Sequence, residues 1–308
     1  MFIKKASVQG PCKGVIGAIK IVNNLLNDES IKKPIYMLGR IVHNDYITKA
    51  YANKGIIILD GDSRINLVRK IENGTVIITA HGVGEDVYSY LKEHNIDYVD
   101  ATCDFVSKTK KIITEKISDG FTILYLGVKN HPECEGVLSL NSNIHLVNYK
   151  DALKGNFNNY YEFSNLQKVI LTCQTTLSFN DVEKVYFDLH KIIPNLTLAS
   201  EVCSATRLRQ SALIRECKDC DLCLVVGDKH SNNTKSLKEV CLRYNNIRCE
   251  LIENVEDLVS INLDGVNSIF ITSGASTPKV IVDEVCDVLR NNKPFISSIN
   301  CNDYIKIK

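Results

Sequence analysis

The stretch Phe121-Thr122-Ile123-Leu124-Tyr125-Leu126-Gly127-Val128-Lys129-Asn130-His131 is an apolar run that ends in glycine, asparagine and histidine. A run of this kind predicts a buried β-strand with polar residues at its carboxyl end. A cysteine precedes the strand-end glycine by 24 to 27 residues at three places in the chain, in the pairs Cys12 and Gly39, Cys103 and Gly127, and Cys203 and Gly227.

A second landmark supports this period. A later apolar strand in each unit ends in threonine, 67 to 69 residues after the cysteine, at Thr79, Thr172 and Thr272. Two landmarks that recur in three copies at nearly constant spacing indicate an internal repeat.

The repeat predicts an α/β fold of three pseudo-symmetric α/β domains, with small, mostly parallel sheets around a central cavity. We expect the first domain at 13–98, the second at 99–198, and the third at 199–308, completed by the N-terminal strand within 1–12. A last strand, Phe295–Ile299, is expected to pair beside that N-terminal strand. Functional residues of parallel sheets gather at the carboxyl ends of the strands, so each domain should present its cysteine and polar residues at one edge.

Cys12, Cys103 and Cys203 occupy equivalent positions of the repeat and are the predicted metal ligands. Three converging thiolates suggest a metal ion or an iron–sulfur cluster. Gly10 and Gly14 flank Cys12 and let the backbone approach a bound group, and the helix that follows points its positive end there. A zinc protein that uses the three thiolates and a histidine is an alternative.

The other cysteines are predicted to pack in the core, since unbridged cysteine is among the most buried residue types. The spacing of Cys217, Cys220 and Cys223 is similar to that in small ferredoxins, but Cys223 lies in an apolar strand and no glycine-rich loop is present. The remaining cysteines with no equivalent in the repeat are Cys134, Cys173, Cys241, Cys249 and Cys286.

Composition excludes some classes of function. With 308 residues and a net charge of only +1, the chain has no electrostatic basis for binding nucleic acid or an anionic membrane. No apolar run reaches membrane-spanning length, and the first residues predict a strand rather than a signal peptide. A cytoplasmic protein is expected.

Polar residues at the predicted strand ends are candidates for anion binding and proton transfer. His43, His81 and His131 each follow a strand, which favours such roles. Short donors that cap helices can also hold phosphate groups; the candidates are Ser231, Asn232, Asn233 and Ser276. Glu133 and Glu135 are the candidate acids, because a shielded carboxyl can deliver a proton near neutral pH. The sequence alone does not decide which of the two points inward.

The residues named above, together with their neighbours in the sequence, resemble the LytB family of 4-hydroxy-3-methylbut-2-enyl diphosphate reductases, which act last in the non-mevalonate isoprenoid pathway. The resemblance runs from about Cys12 to Pro278 in the same order. It rests on the segments Gly10–Val15, Ile41–Asn44, Ala80–Val83, Asp100–Cys103, His131–Gly136, Gln174–Ser178, Cys203–Thr206, Ser231–Asn233 and Gly274–Ser276.

The resemblance implies a 4Fe-4S cluster held by Cys12, Cys103 and Cys203, with one iron left open to the substrate hydroxyl. A ferredoxin or flavodoxin would supply two electrons, one at a time, and the products would be isopentenyl and dimethylallyl diphosphates. It further implies that Glu133 donates a proton, assisted by His131 and Thr175. The implied substrate-binding residues are His43, His81, His131, Thr175, Ser231, Asn232, Asn233 and Ser276.

The sequence departs from the family pattern at four positions. The family usually has an aromatic residue at Pro11, an acidic or small residue at Arg40, a proline at Asp104 and a serine at Asn232. A divergent paralogue, acting on another allylic diphosphate or as a non-catalytic iron–sulfur sensor, is therefore the alternative.

Overall fold

The computed structural model describes residues 1–199 and 202–307. The strands are β1 Phe2–Lys5, β2 Ile35–Leu38, β3 Ile57–Leu59, β4 Thr75–Ile78, β5 Asp97–Asp100, β6 Thr122–Gly127, β7 Ile144–Asn148, β8 Val169–Cys173, β9 Leu196–Leu198, β10 Leu222–Val226, β11 Arg248–Ile252 and β12 Ser268–Ser273. The α-helices are α1 Lys13–Leu26, α2 Asp45–Ala52, α3 Arg64–Val68, α4 Glu85–Glu93, α5 Asp104–Ser118, α6 Pro132–Leu138, α7 Tyr149–Leu153, α8 Phe179–His190, α9 Ser204–Glu216, α10 Asn232–Tyr244 and α11 Lys279–Asn291. Short 3-10 helices lie at Asn158–Phe163, Glu256–Ser260 and Cys301–Ile305. Among these helices, none combines the length and apolar character needed to cross a membrane.

The strands form three four-stranded sheets, with orders β3-β2-β4-β5, β7-β6-β8-β9 and β1-β12-β10-β11. Every strand pair is parallel. Read from the opposite edge, the last sheet has the same internal order as the other two, with β1 as its fourth strand. The predicted α/β class with small parallel sheets is confirmed.

The chain divides into two compact units. The first contains the sheet that begins with β1 and comprises Met1–Asn23, Arg40–Ile56 and Ser204–Lys308. The second contains the other two sheets and comprises Asn24–Gly39 and Ile57–Cys203. The three domain boundaries expected from the repeat stay a prediction, and residues 200, 201 and 308 of the third domain lie outside the described residues.

The two inner strands of each sheet are mostly apolar and buried, as expected where both faces of a parallel sheet are covered. In β10, Leu222, Leu224 and Val226 point into one core, whereas Cys223 and Val225 point into another on the opposite face. Successive side chains of a strand alternate between faces, so a continuous apolar run satisfies both cores.

The predicted strand at Phe295–Ile299 is wrong, because this segment has no regular secondary structure. The amide of Ser298 and the hydroxyls of Ser297 and Ser298 donate hydrogen bonds to the Glu284 carboxylate. The backbone amide of Ser298 is therefore hydrogen-bonded to a side chain and does not pair with a strand. β1 remains the edge strand of its sheet.

Candidate functional site

The three repeat cysteines occupy the same place in each sheet. Cys12 follows β1 and directly precedes α1, Cys103 follows β5 and precedes α5, and Cys203 follows β9 and precedes α9. Each preceding strand is the edge strand next to β12, β4 or β8, whose ends lie within one residue of Thr272, Thr79 and Thr172. The cysteine therefore stands where the chain turns from the carboxyl end of a strand into a helix.

One backbone hydrogen bond ties each cysteine to its sheet. The cysteine amide donates to a carbonyl oxygen two residues beyond the neighbouring strand, at 3.0 Å in all three cases. The pairs are Cys12 to Ala275, Cys103 to Ala80 and Cys203 to Thr175. Equal bonds at equivalent positions confirm that the repeat seen in the sequence is a structural one.

The loop that carries Cys12 is held from two sides. The buried Arg209 guanidinium on α9 donates to the carbonyl of Gly10 at 2.5 Å, and the Gly10 amide donates to the Ser273 hydroxyl at 2.7 Å. The amide of Val15, in the first turn of α1, donates to the Cys12 sulfur at 3.5 Å. The positive end of α1 is thus directed at this sulfur.

Each of the three repeat cysteines has the donor chemistry that an iron–sulfur cluster takes. Cys12, Cys103 and Cys203 are all half-buried, so their sulfurs are shielded from bulk water but not enclosed in a core. Thiolates at helix starts are the donors that such clusters take.

Glu133, on α6, is 1% exposed and accepts hydrogen bonds on both carboxylate oxygens. The Thr175 amide donates to Oε1 at 2.8 Å and the Thr175 hydroxyl to Oε2 at 3.0 Å. The fully buried hydroxyl of Tyr125 donates to Oε1 at 3.3 Å. Glu135 is only half-buried, so the structure decides which of the two candidate acids points inward.

Burial raises the pKa of Glu133 from 4.5 to about 7, because the ionised form loses its hydration. The hydrogen bonds from Thr175 and Tyr125, and the positive charge of Lys110, oppose this shift. The pKa of Lys110 itself is lowered by burial. Glu133 therefore changes protonation state close to neutral pH.

His131 is the N-cap of α6, and its Nδ1 accepts a hydrogen bond from the Glu133 amide at 3.2 Å. The proton of the neutral imidazole accordingly sits on Nε2. The ring of His81 meets that of His131 edge-on, with centroids 5.6 Å apart. Within the second unit, the structure therefore brings His81, His131, Glu133 and Thr175 together.

The first unit contains the other candidate residues. The Ser276 hydroxyl donates to the carbonyl of His43 at 2.8 Å. Ser231 caps α10, its hydroxyl accepting from the Thr234 amide at 3.5 Å. Asn232 and Asn233 form the first positions of α10, and the side chain of Asn233 accepts from Thr206 at 3.0 Å.

Two of the residues that depart from the family pattern, Arg40 and Asp104, have favourable electrostatic environments in the fold. Arg40 forms a salt bridge with Asp45 at 2.5 Å and lies 3.8 Å from Asp228. Asp104 is the first residue of α5, where a negative charge is stabilised by the helix dipole. Nothing in the structure explains Pro11.

A further cysteine group lies in the core of the first unit. The Sγ atoms of Cys217, Cys223 and Cys241 all lie within 4.8 Å of one another, and this buried group could hold a metal ion. The spacing in the sequence groups Cys220, not Cys241, with Cys217 and Cys223. Cys241 comes from α10, and only the packing of this helix on β10 brings it to the other two.

Sequence reasoning missed Tyr125, Lys110 and Arg209. Lys110 follows Val106 by one helical turn on the buried side of α5, and a lysine at such a position was the available signal. Tyr125 looks like an ordinary strand residue, and Arg209 like an ordinary helical one.

Comparison with known proteins gives consistent matches along the chain. The family model described as LytB protein matches residues 3–290. The 4-hydroxy-3-methylbut-2-enyl diphosphate reductase of Bacillus cereus (strain B4264) is 39% identical over 295 residues, covering 96% of this chain and 92% of that protein. The protein of the same name from Macrococcus caseolyticus (strain JCSC5402) is also 39% identical, covering 96% of this chain and 90% of that protein.

Two solved structures are also similar. The E-1-hydroxy-2-methyl-but-2-enyl-4-diphosphate reductase from Plasmodium falciparum matches with a TM-score of 0.83 and 31% identity, covering 96% of this chain and 89% of that one. A structure of (E)-4-hydroxy-3-methyl-but-2-enyl diphosphate reductase, described as the terminal enzyme of the non-mevalonate pathway, matches with a TM-score of 0.65 and 26% identity, covering 94% of this chain and 100% of that one.

Proposed function

Because the chain belongs to the LytB family, we propose that it is an oxidoreductase that removes the hydroxyl group of 4-hydroxy-3-methylbut-2-enyl diphosphate. The products are isopentenyl and dimethylallyl diphosphates. The observation that carries this proposal is the buried Glu133, whose carboxyl is held by Thr175 and ionises near neutral pH.

The proposed cofactor is a 4Fe-4S cluster with Cys12, Cys103 and Cys203 as its protein ligands. When bound, such a cluster would supply electrons one at a time. The electron donor is a ferredoxin or flavodoxin, and the reaction takes place in the cytoplasm. In the proposed division at 13–98, 99–198 and 199–308 with 1–12, Cys12 directly precedes the first repeat, and Cys103 and Cys203 lie near the starts of the second and third.

Glu133 is the proposed proton donor. Replacement of a hydroxyl by hydrogen, with loss of water, consumes two electrons and two protons, and Glu133 supplies one of these protons. The Thr175 amide and hydroxyl then stabilise the carboxylate that remains. His131 fixes the first turn of α6 through its bond to the Glu133 amide and so positions the proposed acid.

The diphosphate is held by short donors and histidines instead of a basic cluster. Hydrogen bonds to a charged acceptor contribute about 1.5–3 kcal/mol each, so five or six suffice to hold this group. The proposed residues are His43, His81, His131, Thr175, Ser231, Asn232, Asn233 and Ser276.

The test is anaerobic purification followed by an assay with 4-hydroxy-3-methylbut-2-enyl diphosphate and a reduced dye. We expect a brown protein that turns over this substrate, and a Cys12→Ser variant that loses both colour and activity. A brown protein that binds but does not reduce the substrate would support the sensor instead. Reduction of only a different allylic diphosphate would support a divergent paralogue, and a colourless zinc protein would overturn the cluster assignment.

A further inference from the structure

Four of the buried cysteines pack in one core of the first unit, at a place that the proposed reaction does not use. Cys217 follows the end of α9, Cys223 is the second residue of β10, Cys241 lies on α10, and Cys249 is the second residue of β11. Cys223 and Cys249 are paired in register on neighbouring parallel strands. Four separate elements thus each contribute one sulfur to the same region.

Three of the sulfurs are close enough to share one ion. Those of Cys217, Cys223 and Cys241 lie within 4.8 Å of one another, and Cys249 is paired in register with Cys223 and packs in the same core. Sulfurs bound tetrahedrally to one zinc at about 2.3 Å are about 3.8 Å apart. Side-chain shifts of up to about 1 Å would bring the three sulfurs to this spacing, and a rotation of the Cys249 side chain would supply the fourth ligand of the proposed site.

Solvent and competing ligands are excluded from this place. Cys217, Cys223 and Cys241 are 0% exposed and Cys249 is 4% exposed. The surrounding core is apolar and includes Leu213, Val240 and Phe270.

This group lies apart from the candidate diphosphate residues. Cys223 and Cys249 are at the amino ends of β10 and β11, whereas Ser231 and Ser276 follow the carboxyl ends of β10 and β12. A five-residue strand such as β10 spans about 17 Å. A metal ion bound at the cysteines would therefore have a structural role.

We propose that Cys217, Cys223 and Cys241, with Cys249 as fourth donor, bind one structural Zn²⁺ ion. An all-sulfur, closed donor set is typical of structural zinc, and each thiol that ligates releases its proton. Because the sulfurs are inaccessible in the folded chain, the ion enters as α10 packs against β10. The competing interpretation is that the four thiols pack without a metal, as small apolar residues do.

The test is the metal content of the anaerobically purified protein expressed with Zn²⁺ in the medium. We expect one zinc per chain that resists a chelator, with X-ray absorption showing only sulfur neighbours at about 2.3 Å. Cys241→Ala should lose this zinc. The matched control is Cys286→Ala, which removes a buried cysteine from α11 of the same unit and should leave the zinc in place.

A Cys12→Ser variant separates this site from the proposed cluster, because it should lose iron and keep zinc. The proposal is overturned if wild-type protein holds less than about one zinc per ten chains, if zinc disappears with the iron in Cys12→Ser, or if Cys241→Ala keeps its zinc. Should Cys241→Ala fail to fold, the sulfur-only absorption spectrum of Cys12→Ser protein remains decisive. Any other neighbour set would reject the site.

Discussion

Thr175 donates two hydrogen bonds to the carboxylate of Glu133, one from its amide at 2.8 Å and one from its hydroxyl at 3.0 Å. The same residue accepts the amide of Cys203 on its carbonyl at 3.0 Å. Thr175 therefore links the position of a proposed cluster ligand to that of the proposed acid, through a single turn after β8.

Glu133→Gln should leave substrate binding and cluster content unchanged and lower turnover by about 10²- to 10⁴-fold, the usual contribution of a general acid. Glutamine keeps the size and can still accept from Thr175, but it has no acidic proton. The control is Glu135→Gln on the same helix, which should retain most of the activity. Steady-state kinetics with a reduced dye checks this, and a Glu133→Gln enzyme as fast as wild type would remove the residue from its role.

The pH dependence of kcat/KM should report the pKa of the Glu133 carboxyl. The acid must be protonated, and its pKa of about 7 predicts a rate that falls as pH rises above neutrality. Thr175→Val removes a hydroxyl that lowers this pKa, so the falling limb should move to higher pH, whereas Thr175→Ser should leave it in place. A limb that stays fixed in Thr175→Val would mean that another group titrates.

The same carboxyl predicts how stability changes with pH. Its pKa rises from 4.5 in the unfolded chain to about 7 in the folded one, so the folded state binds the proton more tightly. The resulting stability is fully present below about pH 4.5 and is lost as pH rises to about 7, by about 3 kcal/mol in all. Denaturant unfolding should show this loss in wild type and a flatter profile in Glu133→Gln.

Arg209→Met should weaken binding of the proposed cluster, although Arg209 is not one of the proposed ligands. The substitution removes the donor to the Gly10 carbonyl next to the Cys12 loop, and an unsatisfied buried acceptor costs about 1–3 kcal/mol. We expect a lower melting temperature and faster loss of iron under a chelator. Arg207→Met, on the exposed side of α9, should resemble wild type in both measurements.

Ser276→Ala should raise KM for the diphosphate substrate by about 10-fold or more with kcat little changed, since a charged hydrogen bond contributes about 1.5–3 kcal/mol. It also removes the bond that fixes the His43 carbonyl. Ser268→Ala, at the opposite end of β12, provides the control. An unchanged KM in Ser276→Ala would place the diphosphate elsewhere.

The sequence by itself determined the three-sheet α/β architecture, because a buried parallel strand needs an apolar run and a polar end, and both recur at constant spacing. It also predicted that each cysteine stands beside a strand end, as the equal bonds to Ala80, Thr175 and Ala275 confirm. The strand expected at Phe295–Ile299 does not form, and the backbone amide of Ser298 there donates a hydrogen bond to the Glu284 carboxylate instead. Such competition between side chain and backbone is not visible in a periodic pattern.

Only the tertiary structure decided which acid is buried and which thiols meet. Glu133 and Glu135 are both glutamates on α6, and the sequence does not distinguish them. In the fold, the Glu133 carboxylate is buried and accepts hydrogen bonds from Tyr125 and Thr175. Cys241 joins Cys217 and Cys223 because α10 packs on β10. Contacts between residues distant in sequence depend on packing, and the chain order does not specify them.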